Sequence, residues 1–234
     1  MNRLQRRRTA RTLTGRHTAV VHRVAALLLE YPTEELVALL PTLRAAVDEL
    51  DGPARDCLAG MVADLAAMPL PQAQARYVET FDLRRRCSLY LTYYAYGDTR
   101  RRGLALVQVK QAFRDAGWEL AGDELADHLA VVLELASAPG GQETGLRLLL
   151  EHRAGVELLR LALADAGSPY AGVLAAVSAT LPPLEGDERE AVARLAAEGP
   201  PGEDVGLEPF GPLTPPAVAP QAGPIPVTLT GARP

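Results

Sequence analysis

The sequence has few of the residues on which most metalloproteins and many enzymes depend. Its 234 residues include two cysteines and four histidines. Cys57 and Cys87 lie 30 positions apart, with no CxxC pattern and no paired histidines nearby, so we expect reduced thiols and neither a disulfide framework nor a zinc site. The chain also lacks the GxSxG, HExxH and Walker phosphate-loop motifs. We therefore expect no enzyme activity, no metal and no bound cofactor.

Long apolar runs are also missing. The best one, Val24–Leu29, follows an arginine and ends at Glu30, and it falls well short of the roughly 18 residues of a membrane-spanning helix. The RRRTAR stretch at residues 6–11 fits the start of a twin-arginine export signal. However, neither an uninterrupted apolar region nor a small-residue cleavage pattern follows it. We expect a cytoplasmic protein without stable membrane association.

Charge is distributed unevenly along the chain. Residues 1–29 carry seven arginines and no acidic residue, whereas the remainder carries 17 basic and 29 acidic residues. Residues 1–17 have no apolar period, which predicts a disordered, Arg-rich arm. Such an arm could contact nucleic acid, and a helical nucleic-acid-binding protein is the alternative function. The acidic body argues against it, because it would repel a polyanion, so we expect no nucleic-acid partner.

Apolar residues recur with a helical period over residues 18–198 and predict an all-α, single-domain bundle of about eight to ten helices. Proline, glycine and capping residues divide this region. From residue 199 onward, ten prolines in 36 residues predict a Pro/Gly-rich extended or disordered tail over 199–234. A tyrosine-rich segment occupies residues 86–103. The other predicted helices span about 18–31, 34–50, 53–68, 71–83, 99–116, 123–137, 142–166 (as one helix or two), 169–181 and 187–198.

Four tyrosines are concentrated between positions 90 and 96, in the stretch RCSLYLTYYAYGDTRRRG at residues 86–103. If this segment is helical, a broad side carries the tyrosines and a narrow side carries small residues. Tyrosine suits a surface that is apolar and also wet, because its ring buries area while its hydroxyl keeps a partner. Two interpretations stay open at this point: an aromatic binding surface, or tyrosines at the boundary of the core.

The segment around Asp127 and His128 is the best candidate for a second functional element. Neighbours on a helix point about 100° apart, so these two side chains cannot form an oriented catalytic pair. His128 lies beside an apolar stripe, which is typical of a histidine at the edge of a core. Asp127 and Glu134 share the opposite side with Val131 between them, and that face is either simply solvated or a mixed acidic and apolar binding surface.

Residues 77–137 resemble the central region of the NarJ-type nitrate reductase molybdenum cofactor assembly chaperones, which belong to the wider redox-enzyme maturation family. The resemblance extends over about residues 20–195. The sequence departs from the family pattern at Ala126, where a proline is usual, and at Tyr94 and Tyr96, where histidines are common. The matching positions are Tyr77, Phe81, Asp82, Ser88 to Leu91, Gly97 to Arg100, Arg102, Gly103, Ala116, Gly117, Glu119, Leu120 and Asp127 to Leu129.

This resemblance implies a cofactor-free helical chaperone, a monomer or weak dimer. It would bind the apo catalytic subunit of a respiratory nitrate reductase at its N-terminal segment and assist molybdenum cofactor insertion. An amphipathic target helix requires a groove with an apolar floor and a charged rim. Arg100 and Arg102 could contact an anion such as the cofactor's phosphates. The peptide-binding candidates are Tyr90, Tyr93 and Tyr94 for the floor, Asp127 and Glu134 for the rim, and the adjacent His128 and Val131.

Overall fold

The computed structural model describes residues 3–120 and 124–199, and eleven α-helices account for most of them. A π-helical turn at Val78–Asp82 and a 3-10 turn at Arg85–Cys87 lie between α4 and α5, and the described ranges contain no β-strand. The helices are α1 (Arg3–Leu28), α2 (Glu34–Asp48), α3 (Pro53–Ala66), α4 (Leu70–Tyr77), α5 (Leu91–Tyr96), α6 (Arg100–Asp115), α7 (Leu129–Ser137), α8 (Gln142–Glu151), α9 (Arg153–Asp165), α10 (Tyr170–Ala179) and α11 (Gly186–Glu198).

The all-α bundle predicted from the sequence is confirmed, with local differences. Region 142–166 forms two helices that meet at His152. The helix predicted over 123–137 begins only at Leu129, because the chain before it turns at Ala126 and Asp127 and then pairs with another segment at His128. The predicted tail lies outside the described residues beyond Gly199.

The N-terminal part of α1 differs from the expected disordered arm, because the helix begins at Arg3. Arginine is a good helix former, and residues 3–28 contain no proline and only one glycine, Gly15. Helix propensity therefore favours continuing α1 through a stretch that has no apolar period. Among the described helices, none is both long enough and apolar enough to cross a membrane.

Helix boundaries follow local signals in the sequence. The hydroxyl of Thr33 accepts a hydrogen bond from the Leu36 backbone N–H at 3.2 Å and so caps α2, whose first turn carries Glu34 and Glu35. Pro53 is the first residue of α3, where its missing N–H costs nothing. These features explain why the starts of both helices could be predicted.

The core lies between α1, α3, α7 and α10. Helix α1 packs against α7, and α10 packs against α3. Seven of the nine positions of α7 are apolar and buried or half-buried against the core, which explains its high content of leucine and valine. His22 of α1 is buried here too, 2.8 Å from the Thr180 hydroxyl, and burial lowers its pKa to about 4. The imidazole therefore remains neutral at physiological pH.

Gly145 permits a close approach between α8 and α7, which makes a testable prediction. A Cβ atom at this position would lie 2.4 Å from the backbone nitrogen of Ala136 and 2.5 Å from its Cα. Because backbone cannot move aside as a flexible side chain can, we expect Gly145→Ala to lower the free energy of unfolding by about 1–3 kcal/mol.

The matched control is Gly103→Ala in α6, where an added Cβ meets no atom within 4 Å. Alanine is the better helix former, so this change is expected to raise stability by about 0.5–1 kcal/mol. Urea denaturation of both variants measures the difference. Equal effects in the two variants would contradict the close packing of α8 on α7.

Candidate functional site

The tyrosine-rich segment and the residues before α7 meet at a junction formed by residues 89–92 and 127–129. Tyr90 and His128 form an isolated antiparallel bridge. The Leu91 N–H donates to the Asp127 carbonyl at 3.0 Å, and the Leu129 N–H donates to the Leu89 carbonyl at 2.8 Å. These bonds join parts of the chain that are far apart in sequence. They also explain why helix α5 begins only after Tyr90.

Asp127 forms the centre of this junction. Its side chain is fully buried, and its Oδ2 accepts hydrogen bonds from the Thr92 backbone N–H, at 3.1 Å, and from the Thr92 hydroxyl. Thr92 lies in the first turn of α5, so the carboxylate satisfies an N–H that the helix itself cannot. The prediction that Asp127 lies on an exposed rim is wrong, because this cap requires it inside the protein.

Arg102 closes the junction from α6. Its Nε donates to the Thr92 hydroxyl at 3.3 Å, one terminal nitrogen lies 3.3 Å from Asp98, and its guanidinium lies over the Tyr90 ring at 5.2 Å. These contacts hold the guanidinium in place. Arg102 therefore has a structural role here. Arg100, the other candidate anion contact, is exposed at the start of α6.

The three candidate tyrosines have different environments. Tyr94 is only 1% exposed, and its hydroxyl donates to the Arg86 and Ser88 carbonyls at 3.1 and 2.8 Å. Tyr94 therefore offers almost no exposed surface for the floor of an open groove, and most of this side chain lies in the core. Tyr93 is half-buried and packs edge-on against Tyr94 with the ring centres 5.7 Å apart.

Tyr90 is half-buried on the side of the junction that faces α7. Its hydroxyl donates to Glu124 at 3.2 Å, and its ring packs edge-on against His128 at 5.4 Å. Burial, with a further contribution from the Glu124 carboxylate, raises the pKa of Tyr90. His128 is itself buried, and this burial lowers its pKa, so the ring is neutral. The hydrogen bond between the Tyr90 hydroxyl and Glu124 connects the junction to an exposed carboxylate on the protein surface.

Val131 and Glu134 line a groove of about 240 Å³ between the end of α6 and α7. We call it the acidic groove, because three glutamates lie around an apolar floor. Glu134 is half-exposed and pairs with Arg23 of α1. The residues that line the acidic groove are Phe113, Trp118, Glu119, Leu120, Glu124, Val131, Glu134 and Leu135.

Sequence reasoning identified Val131 and Glu134 and missed the opposite wall. Trp118 is the only tryptophan in the chain and follows Gly117, whose positive φ of 78° turns the backbone at the end of α6. A single, partly exposed tryptophan directly after a helix end is a signal that could have drawn attention to this wall. Among residues 3–120 and 124–199, no group of three or more His, Cys, Asp or Glu side chains could hold a metal ion.

The all-helical architecture is shared with a solved structure. A crystal structure from Archaeoglobus fulgidus, whose name places it among the redox enzyme maturation proteins, is similar with a TM-score of 0.52 and 19% sequence identity, over 68% of this chain and 91% of that one. At this level of identity the match shows a shared all-helical fold. The family model of the nitrate reductase delta subunit matches residues 35–176, and the chain belongs to this family.

Individual relatives agree with this membership. The chain is 41% identical over 161 residues to the nitrate reductase-like protein NarX of Mycobacterium tuberculosis (strain H37Rv), 69% of this chain and 24% of NarX. It is 33% identical over 112 residues to NarJ of Bacillus subtilis (strain 168), 47% of this chain and 61% of that protein. A 77-residue match, 42% identical, links it to the nitrate reductase molybdenum cofactor assembly chaperone NarJ of Escherichia coli (strain K12), over 32% of this chain and 33% of that protein. The chain thus spans less than two thirds of each relative.

Proposed function

We propose that this protein is a cytoplasmic chaperone for a respiratory nitrate reductase. It binds the apo catalytic subunit at the N-terminal segment of that subunit, and it assists molybdenum cofactor insertion and assembly of the complex. Family membership and the names of the NarJ relatives support the chaperone role. The role requires binding and release only, so it needs no catalytic group in the chaperone.

The acidic groove is the observation that carries this proposal. Phe113, Leu120 and Val131 form an apolar floor, with the partly exposed Trp118 beside them. The rim is acidic, and Glu134 is the rim glutamate that forms an ion pair with an arginine among the residues that the structure describes. An amphipathic helix with basic residues on its flanks complements such a surface, because its apolar face can replace water on the floor while its cations meet the glutamates.

Contacts with the junction hold one rim residue of the acidic groove in place. Glu124 is tied to Tyr90, and Tyr90 in turn packs on His128 and Arg102. The junction thus fixes the beginning of α7 and one rim residue of the groove. Of the predicted peptide-binding residues, Val131 and Glu134 contact the target directly in this proposal. Tyr90, Asp127 and His128 do not line the groove, and they belong to the junction that holds Glu124 and the start of α7 in place.

Trp118 provides a direct test. A synthetic peptide with the N-terminal sequence of the nitrate reductase catalytic subunit from the same genome is titrated into the full chain. We expect the fluorescence of Trp118, the sole tryptophan, to shift as the peptide covers it. Trp118→Ala should weaken binding by about 1–3 kcal/mol, measured by calorimetry, because a partly exposed aromatic side chain in a groove is a typical anchor.

Leu104→Ala is the matched control. Leu104 is another exposed apolar residue, on α6 and outside the groove, and its removal should leave peptide affinity within twofold. If the peptide binds while Trp118 fluorescence stays constant and Trp118→Ala binds normally, the target lies elsewhere on the protein. If the peptide does not bind at all, the proposed partner is wrong.

A further inference from the structure

A second and larger groove lies on the other side of the tyrosine-rich segment. Its volume is about 680 Å³, within the range of ligand sites in proteins. One wall is the 3-10 turn with Tyr93 and Tyr94, the base is α9 between residues 158 and 166, and the other wall is the end of α11 at residues 195–199. We call it the basic groove. It shares no lining residue with the acidic groove.

Three arginines and two acidic residues line this groove, so its lining carries a small net positive charge. Arg84, Arg85 and Arg86 are all exposed on one wall, and Asp165 and Glu198 are the acidic residues that line the groove. Arg84 pairs with Glu79 at 2.9 Å and Arg85 with Asp98 at 3.6 Å, but both pairs are exposed to solvent. Exposed pairs contribute little free energy, so these arginines can exchange partners at small cost.

The base of the groove is apolar. Leu158 and Ala162 line it from α9, with Ala166 directly after that helix and Leu195 from α11. Leu161 also lines it and is 37% exposed, which leaves an uncovered aliphatic side chain beside the arginines. An occupant that suits this groove therefore has apolar groups for the base and negative charge for the rim.

The length of the groove favours a polypeptide over a small anion. Residues 158–166 rise by about 12 Å along α9, which corresponds to about four residues of extended chain at 3.3 Å each. We propose that the basic groove binds a segment of polypeptide in which acidic residues alternate with apolar ones. This inference does not rest on the proposed function.

The test uses the full chain and a fluorescein-labelled octapeptide of alternating glutamate and leucine or phenylalanine. A control peptide carries glutamine in place of each glutamate. Fluorescence anisotropy should show that the acidic peptide binds, that the glutamine peptide binds about tenfold more weakly, and that added salt weakens the acidic peptide. Trp118→Ala, in the acidic groove, should leave this binding unchanged.

Two variants locate the site by independent interactions. Arg86→Glu should weaken the acidic peptide about tenfold by charge reversal, and Leu161→Ser about fivefold by loss of apolar contact. Both side chains are exposed, so melting temperatures should stay close to that of the unaltered chain. The matched controls, Arg101→Glu and Leu104→Ser, are exposed residues outside the groove and should change affinity by less than twofold.

Three results would overturn the proposal. The glutamine peptide could bind as tightly as the acidic one, which would remove the role of the arginines. The two groove variants could bind no more weakly than their controls, which would place the peptide elsewhere. Inorganic phosphate at low millimolar concentration could displace the peptide completely, which would indicate an anion site rather than a polypeptide groove.

Discussion

Tyr94→Ala is expected to lower the free energy of unfolding by about 3–5 kcal/mol, the range typical of truncating a buried aromatic side chain. The Tyr94 ring is fully enclosed, and α9 approaches it so closely that a Cβ on Gly155 would lie 2.8 Å from the Tyr94 Cβ. Truncation would leave a cavity between α5 and α9. It would also remove the Tyr94 hydroxyl, which donates hydrogen bonds to the Arg86 and Ser88 carbonyls.

Two further substitutions separate these contributions. Tyr94→Phe removes the hydroxyl alone and should cost about 1 kcal/mol, the usual net value of a hydrogen bond. Tyr96→Ala, at the half-buried end of α5, should cost less than Tyr94→Ala, because less surface is lost from the core. Chemical denaturation measures all three. A Tyr94→Ala variant as stable as the unaltered chain would contradict the burial of the Tyr94 ring in the core.

Asp127→Ala is expected to lower the free energy of unfolding by about 2–4 kcal/mol. The substitution leaves the Thr92 backbone N–H, in the first turn of α5, without its acceptor. It also removes the acceptor of the Thr92 hydroxyl, which Arg102 contacts as well. A buried donor without a partner costs its full desolvation free energy, and the cavity that the shortened side chain leaves in the buried junction adds to it.

Asp127→Asn is the informative companion, since its amide oxygen can still accept from Thr92 and should recover part of the lost stability. Asp165→Ala, at an exposed position in the last turn of α9, should stay within about 0.5 kcal/mol of the unaltered chain. Equilibrium denaturation in urea gives all three values. If Asp127→Ala were as neutral as Asp165→Ala, the carboxylate would not be the cap of α5.

The candidate site could be predicted only in part, for a specific physical reason. The helical-wheel argument for the tyrosines assumed one continuous helix through residues 88–96. The chain instead makes a 3-10 turn and an extended stretch before α5 begins at Leu91. That break changes the direction of every tyrosine relative to the wheel, so Tyr94 points into the core while Tyr93 stays half-buried.

The Asp127 prediction failed for a related reason. The spacing of Asp127, Val131 and Glu134 places them on one face only if a helix already exists at Asp127. In the structure the helix starts two residues later, and the backbone of Asp127 pairs with Leu91 instead. Val131 and Glu134, which do lie within α7, share the groove as their spacing indicates.

The sequence by itself determined the features that depend on neighbours along the chain. The all-α class follows from apolar period, the start of α2 from the Thr33 cap and the start of α3 from Pro53, because propensity, capping and proline geometry act within a few residues. Only the tertiary structure decided which side of the tyrosine-rich segment is buried and which residues line the two grooves. Those outcomes depend on hydrogen bonds between Thr92 and Asp127, 35 positions apart, and on packing of α9 against α5, and no local pattern encodes such contacts.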